Sequence, residues 1–375
     1  MSYFLNFYSL FFHTVLSLLL LSCAHDPSRT LSSTSTLTED FLKKVMRESS
    51  REEPFYGNVL VAHGDDVIAE ASLGKASEEF DLDNTKDSRF VLASVSKQFS
   101  AGAIHQLLER GRLSLNDKIT RFIPLTSVHP QNQKAWEKIT IADLLGHRAG
   151  LMKDPQPDFI NTSKKYRLNH LVSEIIRDPR LTSQKYGQFS YSNIGYTLLA
   201  RVVEIVTSFD FEMYVNFKLL RPLKAFQSGL YHRSKIIKSL ATGYYRNEDN
   251  HYQRLCCVDF STNMGSHNLY SSTHDLLKWT QDLMHHHKSV PPSLLEFEGA
   301  SKVDANTTYM NGLYRTSHPK LGLHFTHDGF SGGYATRVSF FPERDLTVII
   351  LLNRVNVFTA QNQIEAIHQR IIDSL

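Results

Sequence analysis

The octapeptide FVLASVSK at residues 90–97 organises this chain, because it joins an apolar, strand-like approach to a long helical pattern. Apolar side chains then recur at helical spacing, at Phe99, Ala103, Ile104, Leu107 and Leu108. We expect that helix to end at Gly111. Ser94 and Lys97 lie three residues apart, and this spacing places both side chains on one face of a helix.

Ser94 and Lys97 make a chemically sensible pair. A serine hydroxyl is a poor nucleophile until a base removes its proton, and a lysine desolvated in a cleft can have its pKa lowered enough to help. The pattern is also common by chance, since Ser72 and Ser317 are each followed by a lysine at the same spacing. A helix N-terminus capped by Ser94 is the competing interpretation. The strand-like approach and the long striped helix distinguish Ser94 from the other two serines.

The second motif is Tyr191-Ser192-Asn193, which follows Gly187 and precedes a helix striped with Leu198, Leu199, Val202 and Val206. A phenol beside a cationic lysine loses its proton more readily and can serve as a base or an acid. An asparagine offers both a donor and an acceptor for orienting a lysine and a substrate. A structural tyrosine with a turn-forming asparagine explains the same residues, and other Tyr-x-Asn matches begin at Tyr56, Tyr214, Tyr245 and Tyr309.

The third motif is His327-Asp328-Gly329, which precedes FSGG at residues 330–333 and a closing pair of strands. A glycine at a strand edge lets a substrate approach the backbone closely, and a backbone N–H there can be aimed at an oxyanion. A loop histidine followed by a hairpin turn explains the same residues. Lys320-Leu321-Gly322 is a competing match nearby.

Composition narrows the classes of protein. The chain has 375 residues, and 41 Lys+Arg against 38 Asp+Glu give a formal net charge of +3. This near balance does not imply a wide basic surface, so we expect no nucleic-acid partner. Hydrophobic residues at 41% and charged residues at 21% are typical of an ordinary globular protein. The three cysteines exclude a disulfide framework and a cysteine-rich zinc module.

The N-terminus has the features of an export signal. Residues 10–21 form an apolar run that is too short and broken for a membrane span but suits a signal peptide. The run ends in Leu20-Leu21-Ser22-Cys23, which resembles a bacterial lipoprotein cleavage box. We therefore expect a signal peptide over 1–23, lipidation of Cys23 and a polar tether over 24–36. No Lys or Arg precedes the run and Leu21 is bulky, so an ordinary cleaved signal or an uncleaved anchor is the alternative.

The adjacent Cys256 and Cys257 are expected to be small buried residues.

The remaining patterns predict an α+β fold. They indicate a first helix near Thr36, with capping-box spacing between Thr36 and Glu39, and then a hairpin of residues 58–63 and 67–71. Near the end of the chain they indicate strands over 335–341 and 346–352. A last helix carries four apolar residues on one face: Ala360, Ile364, Ile367 and Ile371. We expect an antiparallel sheet flanked by the N- and C-terminal helices. An α/β lobe would come from residues 37–93 and 300–375, and an inserted, mostly helical lobe from residues 94–299.

A metal site is not expected. The run His285-His286-His287 stands in a polar tract before two prolines, which favours a solvated loop over a set of metal ligands. No cofactor is predicted either.

In this order and at these separations, the three motifs resemble those of the serine β-lactamase and penicillin-binding-protein superfamily. The likeness is closest to the branch of class C β-lactamases, DD-peptidases, D-aminopeptidases and family VIII esterases. Residues 94–97 match the family's S-x-x-K, residues 191–193 its Y-x-N, and residues 327–329 the H-x-G variant of its K-T-G. Segments 139–151 and 271–279 also look similar, so the likeness extends over about residues 38–373.

The resemblance implies a β-lactamase/transpeptidase-like fold and a catalytic scheme. Ser94 would be the acylated nucleophile, and Lys97 and Tyr191 would share the proton transfers, with Tyr191 favoured as the base. Asn193 would hold Lys97 and a substrate amide. The backbone N–H groups of Ser94 and Phe330 would bind the oxyanion. In this scheme His327 and Gly329 bind and orient the substrate, and neither metal nor cofactor is needed.

The third motif departs from the family pattern in a way that bears on substrate. Where the family has a cation and a hydroxyl for a substrate carboxylate, this chain has His327, with an ordinary pKa of about 6.5, followed by Asp328. Asp328 would repel a carboxylate if it faced the cleft and would matter little if it paired with Arg337. We therefore hypothesise an ester or amide hydrolase, of esterase or peptidase type, that does not depend on a free carboxylate.

Two other functions stay open. One is a DD-carboxypeptidase or a class C-like β-lactamase, and the other is a catalytically silent binding protein that has kept the fold. The expected partners are a small-molecule or peptide substrate, and a membrane if Cys23 is lipidated. The expected location is the cell envelope, in the periplasm.

Overall fold

A computed structural model describes residues 37–49, 54–156, 161, 164–182, 185–246, 251–254, 259–296, 299–356 and 358–375. The predicted signal peptide and tether, Cys23, Cys256 and Cys257 lie outside these ranges, so the predictions made for them stay predictions. Within these ranges, no helix combines the length and the apolarity needed to cross a bilayer.

The strands come from both ends of the chain. In chain order they are β1 (Gly57–His63), β2 (Asp66–Leu73), β3 (Lys75–Ser77), β4 (Leu82–Asp83), β5 (Phe90–Val91), β6 (Gly229–Leu230), β7 (Tyr244–Arg246), β8 (Tyr252–Arg254), β9 (Leu269–Ser271), β10 (Ser301–Lys302), β11 (Thr308–Met310), β12 (Leu313–His318), β13 (Gly322–Ser331), β14 (Tyr334–Phe341), β15 (Leu346–Leu352) and β16 (Arg354–Asn356). The largest sheet has the order β10-β11-β12-β13-β14-β15-β1-β2, and its neighbouring strands are antiparallel. Smaller sheets join β5-β9-β6, β16-β7-β8 and β3-β4.

The helices lie mainly between β5 and β10. In chain order they are α1 (Glu39–Glu48), α2 (Lys97–Glu109), α3 (Gln133–Trp136), α4 (Ile141–Leu145), α5 (Leu168–Ile175), α6 (Asn193–Thr207), α7 (Phe211–Tyr214), α8 (Thr273–Gln281) and α9 (Ala360–Asp373). Short π-helical turns at Val215–Leu220 and Asp282–His286 continue α7 and α8. The predicted apolar stripes of α2, α6 and α9 are buried, except that Leu108 and Val206 are only partly so.

The large sheet has an apolar core on each face, because its strand residues alternate in direction. Val348 and Ile350 of β15 pack with α1 and α9, whereas Ile349 and Leu351 belong to the core that contains α2 and α8. On this second side, Phe99 of α2 stacks on a buried tryptophan of α8 at a ring-centroid distance of 4.0 Å. The predicted α+β fold is confirmed, while the division into two lobes stays a prediction.

The start of the first helix differs from the prediction. The helix begins at Glu39, and Thr38 is its N-cap, with the Thr38 hydroxyl accepting a hydrogen bond from the Phe41 N–H at 3.1 Å. Thr38 can do this because its own backbone is still extended. The predicted cap at Thr36 was therefore wrong, although Leu42, Val45 and Met46 are buried as the stripe predicts.

Candidate active site

Ser94 lies in a tight turn between a strand and a helix. Strand β5 leads into a 3₁₀ turn at Ala93–Ser96, and α2 begins at Lys97. Ala93 has a φ of 47°, in the left-handed region that is unfavourable for a residue with a Cβ. The residue just before α2 is Ser96, so Ser94 does not cap this helix. The Ser96 hydroxyl accepts a hydrogen bond from the Leu269 N–H. The capping interpretation of Ser94 was wrong.

Lys97 contacts Ser94 from inside the protein. Its Nζ lies 3.1 Å from Ser94 Oγ and 3.3 Å from the Ser266 carbonyl oxygen, and its side chain is fully buried. Burial lowers the pKa of Lys97 well below 10.5, the nearby Asp154 opposes this shift, and Lys153 adds to it. The buried Lys97 side chain therefore loses its proton more readily than a lysine in water does.

Tyr191 lies on the other side of Lys97. Its ring centroid is 4.7 Å from Lys97 Nζ, and its hydroxyl is buried with no hydrogen-bond partner among the described residues. Burial raises the pKa of Tyr191 well above 10, and the nearby Ser94 side chain opposes this rise. The phenolate form of Tyr191 is therefore disfavoured in this position.

His147 fixes the loop that carries Tyr191. The two ring centroids are 4.3 Å apart, and His147 Nδ1 accepts a hydrogen bond from the Ser192 N–H at 3.1 Å. Ser192 in turn caps α6, its hydroxyl accepting from the Gly195 N–H. The sequence places His147 in a family-like segment but gives no sign of this positioning contact.

Asn193 does not make the contact expected of it. Its Nδ2 donates to Asp154 Oδ1 at 2.5 Å, and its Oδ1 is buried with no hydrogen-bond partner in the described part of the chain. Lys97 is held instead by Ser94 and Ser266. Among the described residues the expected Asn193–Lys97 bond is absent, and the Asn193 amide donates to the Asp154 carboxylate instead. The free Oδ1 leaves an acceptor available to a substrate N–H.

The third motif lies within β13, and its histidine is neutral. His327 is buried, its Nδ1 donates to the Asp328 carbonyl oxygen at 2.6 Å, and its Nε2 lies 3.4 Å from the Tyr309 hydroxyl. Burial, with Lys97 next in effect, lowers the pKa of His327 to about 4. His327 therefore provides no cation near pH 7, as the sequence predicts.

Asp328 faces away from the cleft. Its two carboxylate oxygens accept from Arg337 at 2.6 and 2.7 Å, and Gln361 donates to one of them at 2.8 Å. Arg337 also pairs with Glu365 at 2.6 Å. Of the two orientations left open by the sequence, the structure has the one in which Asp328 pairs with Arg337 and does not repel a substrate.

Gly329 brings β13 against the turn that holds Ser94. A Cβ at this position would collide with the Leu92 carbonyl oxygen, the Thr336 hydroxyl and Ala93. Strand β12 pairs with β13 only as far as Thr326, whereas β14 pairs with it as far as Ser331. Residues 327–331 therefore keep one strand edge unpaired by β12. The predicted oxyanion N–H groups, at Ser94 and Phe330, are on these two adjoining segments, and their role stays a prediction.

His267 is in the site although no sequence motif includes it. Its Nε2 lies 3.0 Å from Ser94 Oγ. In the antiparallel pairing of β5 and β9, Phe90 is opposite Ser271 and Val91 is opposite Tyr270. The Leu92 N–H donates to the Leu269 carbonyl oxygen just beyond these pairs, and Ser94 and His267 follow on the two adjoining segments. The sequence signal was weak, being only a histidine shortly before the family-like segment 271–279.

The histidine tract is not part of this site. His285 pairs with Asp345 at 2.7 Å and His286 with Asp65 at 3.1 Å, so the two rings bind different carboxylates. The part of the chain that the structure describes holds no group of three or more His, Cys, Asp or Glu side chains placed to bind a metal ion.

Comparison with known proteins gives consistent matches. A family model described as Beta-lactamase matches residues 53–370. Penicillin-binding protein 4* of Bacillus subtilis (strain 168) is 25% identical over 338 residues, covering 84% of this chain and 71% of that protein. Protein flp of Staphylococcus aureus (strain NCTC 8325 / PS 47) is 28% identical over 187 residues, or 50% of this chain. The match spans only 37% of the length of protein flp.

Solved structures show the same fold. A penicillin binding protein from Bacillus halodurans superposes with a TM-score of 0.73 at 23% identity, covering 88% of this chain and 98% of that chain. A D-amino acid amidase from Ochrobactrum anthropi SV3 superposes with a TM-score of 0.74 at 18% identity, covering 89% of this chain and 98% of that chain.

Proposed function

The chain belongs to the Beta-lactamase family, and we propose that it is a serine hydrolase that cleaves esters or amides carrying no free carboxylate. In this proposal the enzyme is of esterase or peptidase type, and Ser94 forms the acyl-enzyme. The amidase among its structural relatives was solved in complex with L-phenylalanine amide, a compound of this kind.

The proposed reaction starts at Ser94. As Oγ attacks the substrate carbonyl carbon, the hydroxyl proton passes to a neighbouring base, and the carbonyl oxygen becomes an oxyanion. Lys97 is the favoured base of the pair that the sequence names, because burial lowers its pKa while burial raises that of Tyr191. The leaving group takes up the proton as the bond to the acyl carbon breaks. Water then releases the acyl group from Ser94.

The single observation that carries the substrate proposal is the neutral His327. A substrate carboxylate placed next to it would lose its hydration without meeting a cation at this position. Asp328 adds no repulsion, since it is bound to Arg337. The proposed preference against carboxylates therefore rests on the absence of a positive charge on His327.

A matched pair of substrates tests this. The full chain is assayed with an acyl-D-alanyl-D-alanine peptide and with the same peptide as its C-terminal amide. We expect kcat/KM to be about 5- to 150-fold higher for the amide, which corresponds to about 1–3 kcal/mol for desolvating an unpaired polar group. More efficient cleavage of the free peptide, or efficient hydrolysis of penicillin, would contradict the proposal.

A second candidate, a DD-carboxypeptidase or β-lactamase, has one observation in its favour. Lys153 is exposed and lies close enough to lower the pKa values of both Lys97 and His267. Under this candidate, the Lys153 ammonium is the counterion of the substrate carboxylate. Under this candidate, Lys153→Ala lowers kcat/KM for the free peptide and not for its amide. Under the leading proposal, it leaves the ratio of the two unchanged.

We also propose that the protein is an envelope lipoprotein, held by Cys23. The support is the sequence of residues 1–23 and the likeness to penicillin-binding protein 4*. Expression in a Gram-negative host with labelled palmitate provides the test. We expect label and membrane fractionation for the full chain and neither for Cys23→Ala. Equal fractionation of the two proteins would contradict the anchor.

A further inference from the structure

Ser94 has a second basic neighbour besides Lys97. Its Oγ is 3.0 Å from His267 Nε2 and 3.1 Å from Lys97 Nζ, so the two contacts are equally close. His267 is 8% exposed and follows Ser266 in the chain. The Ser266 carbonyl oxygen accepts a hydrogen bond from Lys97 Nζ. The ring is thus held directly beside the nucleophile, among the groups that hold Lys97.

The hydrogen bonds around His267 determine which nitrogen carries its proton. The Ser266 hydroxyl donates to the Asn263 carbonyl oxygen at 3.0 Å, which uses its one hydrogen. Ser266 Oγ can therefore only accept from His267 Nδ1, which is 3.0 Å away. With the hydrogen on Nδ1, the neutral ring presents a lone pair at Nε2. Ser94 is then the donor in the Ser94–His267 contact.

The surroundings keep this ring neutral. Burial lowers the pKa of His267 well below 6.5, and a positive charge on Lys97, His327 or Lys153 lowers it further. A neutral imidazole that already accepts a serine hydroxyl is the arrangement that general-base catalysis of serine attack requires.

We propose that His267 is a further catalytic residue, a general base that takes the Ser94 hydroxyl proton at Nε2 and shares this task with Lys97. As the bond from Ser94 Oγ to the acyl carbon forms, the proton moves from Oγ to Nε2. The imidazolium then gives that proton to the leaving oxygen or nitrogen as the old acyl bond breaks. Ser266 is a positioning residue that holds the Nδ1–H and so keeps the lone pair on Nε2. This inference rests on the proposed acyl-enzyme at Ser94.

The test measures the rate at which a fluorophosphonate labels Ser94 in the full chain. His267→Gln keeps a similar size and hydrogen-bonding capacity but removes the base, and we expect labelling to slow by about 100-fold. His105→Gln is the matched control, because His105 is also buried but lies beside Ser293, away from Ser94. We expect it to label at the wild-type rate. Melting temperatures show whether each variant is folded.

Chemical rescue separates a catalytic role from a structural one. In His267→Ala, added imidazole should restore labelling in proportion to its concentration, whereas it should not accelerate labelling of His105→Ala. Nitrogen-15 NMR of the wild-type chain should find His267 protonated at Nδ1. A folded His267→Gln that labels at the wild-type rate, or a ring protonated at Nε2, would overturn the inference. A wild-type chain that is not labelled at all would overturn the proposed function itself.

Discussion

Lys97 is a buried lysine, and no carboxylate of the described residues is hydrogen-bonded to its amine. Its near contacts are the Ser94 hydroxyl, the Ser266 carbonyl oxygen and the ring of Tyr191. A cation in such surroundings is costly unless it is paired, so the site favours loss of the Lys97 proton. The residue thereby gains the chemistry of an amine base.

Replacing this amine should remove activity and keep the fold. For Lys97→Met, we expect labelling of Ser94 to slow by about 10²-fold or more, because the base is lost. The melting temperature should stay equal or rise, because a buried amine has been replaced by an apolar chain. Labelling kinetics and thermal unfolding measure the two effects. Lys97→Arg is the control, since a guanidinium stays charged. Wild-type labelling by either variant would refute the role given to Lys97.

Asp328 should matter for stability and not for specificity. Asp328→Asn leaves Arg337 with Glu365 as its only carboxylate partner among those that the structure describes, and we expect a loss of about 1–3 kcal/mol in the free energy of unfolding. The kcat/KM ratio between the amidated and the free peptide should not change. Asp65→Asn, at an exposed pair, should change stability by less than about 0.5 kcal/mol. A changed ratio in Asp328→Asn would show that its carboxylate acts on the substrate.

At the scale of elements, strand β13 and the Ser94 turn fit together only because residue 329 has no side chain. In Gly329→Ala, the new Cβ would overlap the Leu92 carbonyl oxygen and the Thr336 hydroxyl and would crowd Ala93. We expect a loss of about 1–3 kcal/mol in unfolding free energy and labelling about 10²-fold slower, since the turn must move. Denaturant unfolding and labelling kinetics are the measurements.

The control for this variant is Gly111→Ala, just beyond α2. Gly111 also has a positive φ, of 62°, but apart from its chain neighbours no described residue has an atom within 4 Å of the position of its Cβ. Only the left-handed backbone is strained, at about 1–2 kcal/mol, and labelling should not slow. If Gly329→Ala labels as fast as Gly111→Ala, the packing of β13 does not position the nucleophile.

Local patterns predicted the elements well. The stripes of α2, α6 and α9, the β1–β2 hairpin and the β14–β15 pair follow from short-range periodicity, and all are in the structure. The start of the first helix was predicted slightly too early, because Thr36 has the capping-box spacing to Glu39, whereas the N-cap in the structure is Thr38. The 3₁₀ turn at Ser94 was not predicted, since it depends on a strained Ala93 that only the surrounding packing maintains.

At the scale of the whole molecule, buried histidines should make the protein sensitive to acid. Burial lowers the pKa values of His105, His324 and His327 to about 4. Between pH 6.5 and 4 the unfolded chain binds protons that the folded chain does not, so stability falls as pH falls. Each such group contributes up to about 1.4 kcal/mol per pH unit in this window. We expect the melting temperature to drop clearly from pH 7 to pH 5.

The control for this effect is His105→Gln, which removes one of the three groups. Its melting temperature should depend less steeply on pH than that of the wild type, even if the variant is less stable overall. A melting temperature that is constant between pH 7 and 5 in the wild type would contradict the buried neutral histidines.

The site was predicted in part, and long-range contacts explain the remainder. Ser94 and Lys97 meet as their spacing predicts, because the contact is local. His267 is separated from Ser94 by 173 positions, and long-range contacts bring the two together, among them the pairing of two very short strands. The direction of Asp328 and the partner of Asn193 likewise depend on Arg337 and Asp154, which no local pattern connects to the motifs.

Covalent labelling of Ser94 is the most direct test of the whole account. The full chain is treated with a fluorophosphonate, and its intact mass is measured alongside Ser94→Ala and Ser317→Ala. Ser317 is the matched control, since it has the same spacing to a lysine but lies exposed on β12. We predict one adduct on the wild type and on Ser317→Ala, and none on Ser94→Ala. A folded wild type without an adduct, or an adduct that persists in Ser94→Ala, would contradict the claim that Ser94 is the activated nucleophile.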